Sequence, residues 1–243
     1  MPHNKKYLLS TRPLDEPIML KAAQYGISIQ TIPFIKTEPT IDIDLREQIL
    51  AASNRSLNVV FTSMNAVEAV AGCLPGVTDQ WKIYCLGTAT KKLVQLHFKD
   101  SLIAGTASNA SLLADNIIDN QVESVVFFCG DQRRDELPEK LIKHNIQVDE
   151  LAVYKTTAIP ALVNKDYDGI LFFSPSAAES FFSVNVVPDH TILFAIGTTT
   201  ADCIRQFSTN TIVESDFPGK ENLVEKAISY LDKSNKPNDP IKK

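Results

Sequence analysis

GILFFSPSAAESF, residues 169–181, passes from a continuous apolar run into Ser174, Pro175 and Ser176 and then into a helical pattern. A second stretch, VVFTSMNAVEAV at residues 59–70, does the same. A run that is apolar at every position is a strand buried on both faces, which is the signature of a parallel sheet covered by helices on each side. Further runs of this kind recur along the chain, as YLLST, ISIQTIPF, KIYCLG, SLIAG, SVVFFCG, QVDELAVYKT, TILFAIG and NTIVES. Amphipathic segments such as DEPIMLKAAQYG and DELPEKLIKHN lie between them. The alternation predicts an α/β protein.

The two quoted stretches align with each other at an offset of 111 residues, which pairs Phe61 with Phe172, Ser63 with Ser174, Ala66 with Ala177 and Glu68 with Glu179. KIYCLGTAT aligns with ILFAIGTTT at an offset of 110, so that Gly87, Thr88 and Thr90 match Gly197, Thr198 and Thr200. GISIQTIPFIKT and NIQVDELAVYKT correspond at 119. Matches in consistent order indicate a duplication, with two similar parallel-sheet domains. Both copies change offset between the FIKT or VYKT strand and the FTS or FFS strand, where Pro39 and Pro160 punctuate the chain. These junctions predict two crossings between domains.

Length and composition agree with this organisation. A chain of 243 residues, 44% hydrophobic and 22% charged, suits two domains of ordinary size. The net charge of -5 gives no footprint for nucleic acid or an anionic membrane. Cys73, Cys85, Cys129 and Cys203 are widely spaced without a CxxC pair, as expected of reduced core thiols in a cytoplasmic protein. The first residues carry no apolar h-region, and no run approaches the ~20 residues that span a bilayer. The last dozen residues, 232–243, are polar and charged and are expected to be a disordered tail.

In a parallel sheet, ligands bind beyond the carboxyl ends of the strands, where loops enter helices. Thr62, Ser63 and Asn65 occupy such a place, as do Ser174 and Ser176. Gly87, Thr88 and Thr90, and Gly197 with Thr198, Thr199 and Thr200, repeat it. Any one of these serines or threonines is accounted for by N-capping alone. Four such mouths, two per copy, suit a ligand with many carboxylates held by backbone amides. Arg12, at the end of the first strand, is a further candidate anion donor, or else a surface arginine in an ion pair. Tyr154 aligns with Ile35, so only one copy carries a phenol able to donate a proton there. His3, His97, His144 and His190 are scattered without metal-ligand spacing. GxSxG, P-loop and GxGxxG motifs are absent, which removes support for hydrolase, NTPase and dinucleotide readings.

With STRP, FTSMNAVEA, GTAT, the VYKT strand, FFSPSAAESF and AIGTTTA in this order, the chain resembles the uroporphyrinogen-III synthase family. The resemblance implies two α/β domains joined by a two-stranded linker, with the active site in the cleft between them. Residues 1–34 with 157–231 would form one domain and 38–151 the other, with 35–37 and 152–156 as linker strands. It further implies dehydration and cyclisation of hydroxymethylbilane, with inversion of ring D through azafulvene and spiro intermediates, and no cofactor or metal. The family's roles fall on Tyr154 for departure of the hydroxyl, on Thr62, Ser63, Thr90, Ser174 and Thr200 for the pocket lining, and on Arg12. Asn65 stands where the family varies. A cytoplasmic monomer, with transient hand-over of substrate from hydroxymethylbilane synthase, completes the expectation. The residues themselves leave open a non-catalytic two-domain receptor for a small polyanion, and a short nucleotide-sugar transferase.

Overall fold

The computed structural model describes residues 5–76, 78–99, 102–217 and 219–233. The chain begins with β1 (Lys6–Ser10), α1 (Glu16–Gln24), β2 (Ile27–Thr31) and β3 (Ile35–Pro39). It continues through α2 (Ile43–Ser53), β4 (Leu57–Phe61), α3 (Met64–Ala71), β5 (Trp81–Leu86), α4 (Gly87–His97) and β6 (Ile103–Ala107). Then come α5 (Ala110–Asp119), β7 (Ser124–Gly130), α6 (Glu136–Lys143) and β8 (Gln147–Ala158). The last elements are β9 (Gly169–Phe172), α7 (Pro175–Phe182), β10 (Ile192–Ala195), α8 (Thr198–Arg205), β11 (Ile212–Glu214) and α9 (Lys220–Lys233). Two compact units result, with the chain passing from one to the other after Lys36 and returning after Thr156.

Unit 1 is built on a parallel sheet in the order β11-β10-β9-β1-β2. Its strands are apolar throughout because both faces are covered. One face packs Leu8, Leu171 and Phe194 against Ile18 and Ala22 of α1 and against Leu223, Val224 and Ile228 of α9. The other sets Leu9, Ile170 and Phe172 against Phe181 of α7 and Ala201 and Ile204 of α8. Unit 2 is built on the order β3-β8-β7-β4-β5-β6. There α2, α3 and α4 cover Val59, Phe61 and Ile83, while α5 and α6 cover Val60, Tyr84 and Phe127.

Apart from β3, the two sheets carry one strand order, β2-β1-β9-β10-β11 in unit 1 and β8-β7-β4-β5-β6 in unit 2. Register supports the equivalence. Leu9 stands opposite Ile170 and Val126 opposite Val59, and Val59 and Ile170 are partners in the sequence repeat. In each sheet the chain reverses its direction of travel once, between β1 and β9 and between β7 and β4. Such a reversal opens a crevice at the strand carboxyl ends.

Two local readings are corrected. ISIQTIPF is not a single strand, since β2 ends at Thr31 and β3 starts at Ile35. Pro33 has no N–H to give a ladder, and the chain turns there. β3 then pairs with β8 in the opposite sense, the Ile159 N–H bonding the Phe34 carbonyl and the Thr40 N–H the Val153 carbonyl. Asp232 and Lys233, expected in the tail, close α9 instead. Residues 234–243 of that expected tail lie outside the described residues.

Candidate active site

The crevice of unit 2 is assembled from the ends of β4, β5, β7 and β8. After the buried Phe61, half-buried Thr62 and Ser63 leave the sheet. Ser63 caps α3, its Oγ accepting the Ala66 N–H at 3.2 Å. Next to it, β5 runs into α4 through Gly87, whose φ of 76° lies in the left-handed region that a side chain disfavours. No side chain caps α4. Its first amides are therefore unspent, and the helix start favours negative charge. Tyr154, on β8, is joined to this group by a hydrogen bond between its hydroxyl and the Ser63 side chain.

Burial raises the Tyr154 pKa above that of an ordinary phenol, and the Ser63 bond partly offsets the rise. The phenol is therefore protonated throughout the physiological range. The Ser63 contact favours the ionised form. A phenol that is protonated at neutral pH is suited to giving a proton rather than taking one.

The crevice of unit 1 repeats the frame without the phenol. Ser174 caps α7 by accepting the Ala177 N–H at 3.2 Å, with Pro175 at the first helical position. Ser176 is half-buried in the first turn. Gly197 precedes α8, which also lacks a side-chain cap. Its φ of 175° is extended backbone open to any residue, so this glycine, unlike Gly87, is not needed for the turn. The Arg12 guanidinium lies 5.7 Å from the centre of the Phe173 ring, beside Ser174. Burial lowers its pKa, with Asp15 acting the other way, and among the described residues it enters no ion pair. A half-buried cation that makes no salt bridge with its acidic neighbour Asp15 can take up an incoming anion. The backbone beside it is fixed, since Ser10 Oγ donates to the Arg12 carbonyl at 2.6 Å and Thr11 Oγ1 to that of Leu171 at 2.8 Å.

The candidates thus fall into two sets. Thr62, Ser63, Gly87, Thr88 and Tyr154 gather in unit 2, and Arg12, Ser174, Ser176, Thr198 and Thr199 in unit 1. Thr90 and Thr200 are 5% and 3% exposed, so their hydroxyls face the interior and the exposed hydroxyls of these turns belong to Thr88, Thr198 and Thr199. Asn65 is exposed at the start of α3.

The loop GDQRRDE, residues 130–136, is partly structural. Arg133 does pair with Glu150 and Asp135. Asp131 and Gln132, however, grip the strand that carries Tyr154. The Asp131 carboxylate accepts the Thr156 N–H at 2.9 Å, and Gln132 Nε2 donates to the Thr156 carbonyl at 3.0 Å. Grooves of about 500 and 470 Å³ in unit 1, beside α9 and beside the α7–α8 pair, contain none of the candidates. Among the described residues no cluster of His, Cys, Asp or Glu is placed to hold a metal ion.

Comparison with known proteins adds to this geometry. A family model described as uroporphyrinogen-III synthase HemD matches residues 18–225. The chain is 26% identical to the uroporphyrinogen-III synthase of Saccharomyces cerevisiae, over 82% of this chain and 86% of that protein. It is also 26% identical to that of Schizosaccharomyces pombe, over 92% and 96% of the two chains. Among solved structures, a mutant uroporphyrinogen III synthase from Thermus thermophilus superposes with a TM-score of 0.65 at 15% identity, covering 96% of this chain and all of the other. At that identity the likeness speaks for the fold.

Proposed function

Because the chain belongs to the uroporphyrinogen-III synthase family, we propose that it acts on the linear tetrapyrrole hydroxymethylbilane, joining its ends with inversion of ring D, and that the crevices are where substrate carboxylates are held. The activity is that of a lyase of porphyrin and haem biosynthesis. The observation that carries the site assignment is the coincidence, in each sheet, of anion donors with the point where strand order reverses. Ser63 and Tyr154 stand there in unit 2, and Arg12 and Ser174 in unit 1.

In this reading the amides at the starts of α4 and α8, with Arg12, take substrate carboxylates and restrain an otherwise flexible chain. Restraint of this kind lowers the entropic barrier to closure. Tyr154 gives its proton to the departing hydroxyl. The C–O bond breaks, water leaves, and the pyrrole nitrogen lone pair, pushed through the ring, forms the exocyclic C=C of the azafulvene in its N-protonated form. Attack on the substituted carbon of ring D yields the spiro intermediate, which fragments and recloses. The proton lost on reclosure equals the one Tyr154 supplied. The strands at 35–37 and 152–156 serve as the linker between the domains. The reading extends to a cytoplasmic monomer that receives substrate by transient hand-over from hydroxymethylbilane synthase.

Turnover is the test. Purified protein is expected to consume freshly made hydroxymethylbilane faster than buffer alone, catalytically and at sub-stoichiometric protein. Consumption at the buffer rate, with binding intact, would identify a receptor instead.

A further inference from the structure

Tyr154 reaches Ser63 across an intervening strand. The sheet order is β8-β7-β4, so the strand carrying the phenol and the strand leading to the serine are not neighbours. With adjacent strands about 4.8 Å apart, their backbones are separated by roughly 10 Å. A tyrosine side chain spans that gap only by lying over β7.

At the crossing β7 presents Gly130. A Cβ built there would stand 2.4 Å from Tyr154 Cζ, 2.5 Å from Cε2 and 2.8 Å from the phenol oxygen. Carbon atoms in contact prefer about 3.5–4.0 Å, so a methyl group and the ring cannot share this space. The Gly130 backbone is not in the left-handed region, so the ring alone excludes a side chain.

The ring has little freedom to yield. The Asp131 N–H donates to the Tyr154 carbonyl at 3.0 Å, and Asp131 and Gln132 hold Thr156 two residues on. The register also shifts at this place. Cys129 stands opposite Ala152, but Gly130 stands opposite Tyr154, leaving Val153 as an extra residue buried in the core. Such bulges re-aim a side chain beside a site. Unit 1 carries Ile35 in place of Tyr154 and follows β1 with Thr11, Arg12 and Pro13, so it has neither the phenol nor the gap.

We propose that Gly130 is a positioning residue for ring closure, an empty seat across which Tyr154 lies so that its hydroxyl meets Ser63 and presents its proton to the substrate. The catalytic consequence rests on the synthase reading, whereas the seat itself is testable without it.

The experiment compares Gly130→Ala, Tyr154→Phe and their combination. Gly130→Ala is expected to lower kcat for isomer III about tenfold or more while changing KM by no more than about twofold, as loss of a transition-state interaction does. Added to Tyr154→Phe, it should cost less than about a further twofold, because the hydroxyl it misplaces is already gone. Equal losses in both backgrounds would overturn the proposal. A second readout is the ionisation of Tyr154, taken as the spectroscopic difference between proteins with and without the Tyr154→Phe change. Gly130→Ala should shift that ionisation, since both the burial and the Ser63 bond that set it depend on where the ring lies, and an unmoved titration would contradict the seat. Should Gly130→Ala fail to fold, Tyr154→Ala is combined with it. With the ring removed, the double variant should melt with Tyr154→Ala alone, and a further large loss of stability would refute the steric account. A wild-type protein that makes only isomer I would sink the synthase reading yet leave the titration and stability comparisons standing.

Discussion

Tyr154 and Arg12 are ordinary residues whose surroundings have altered their chemistry. The phenol is raised by burial, so it is neutral below the usual phenol range and remains so above it. Its folded-state preference for the proton stabilises the fold fully below the ordinary phenol pKa, and that contribution is lost as pH rises through the raised value. Tyr154→Phe should reduce kcat by up to about a hundredfold, the low end for a general acid. Unchanged turnover and product ratio would remove Tyr154 from the mechanism. Arg12→Gln should raise KM about tenfold or more, since a charge-assisted hydrogen bond is worth about 1.5–3 kcal/mol; steady-state kinetics at fixed salt reads this. Burial pushes the Cys85 and Cys129 thiols up to about 11, and all four cysteines are free and buried. A thiol reagent at neutral pH should label the native protein slowly and four thiols per chain after denaturation; fast native labelling of all four would contradict the packing.

Among the elements, Ser63 and Ser174 start equivalent helices with equivalent caps, yet their substitutions should differ. Replacing either by alanine removes one cap bond and costs about 1 kcal/mol of stability, which a thermal melt can follow. Ser63→Ala should in addition lower kcat, because Tyr154 loses its partner, whereas Ser174→Ala should act mainly through KM. Identical kinetic effects would separate Ser63 from the phenol. The caps were visible in the sequence because a hydroxyl residue between an apolar run and a helical pattern has one dominant local use. Strands buried on both faces were visible for a similar reason, as unbroken apolar runs. The burial of Thr90 and Thr200 was hidden, since it depends on the rotation at which each helix meets its sheet. Gly130 gave no local signal either. Its meaning arises from a register shift between two strands and from a side chain crossing a third, and neither is written in nearby sequence.

For the molecule as a whole, duplication supplied a frame that only one copy completed with a phenol. The two sheets share strand order and register, while Ile35 and Tyr154 mark where the copies parted. The offsets in the sequence exposed that relation because both copies keep similar spacing between strand ends and helix starts. With a net charge of -5, the protein must hold an acidic ligand through local donors. Weakening donors in either unit should lower the share of the inverted isomer as well as the rate, since the uninverted product forms without catalysis. The most direct measurement is the isomer composition of the product. Porphobilinogen and a bilane-forming enzyme are supplied with and without this protein, and the oxidised porphyrins are resolved chromatographically. Isomer III is expected to predominate when the protein is present and isomer I when it is not; isomer I alone in both reactions would contradict the account.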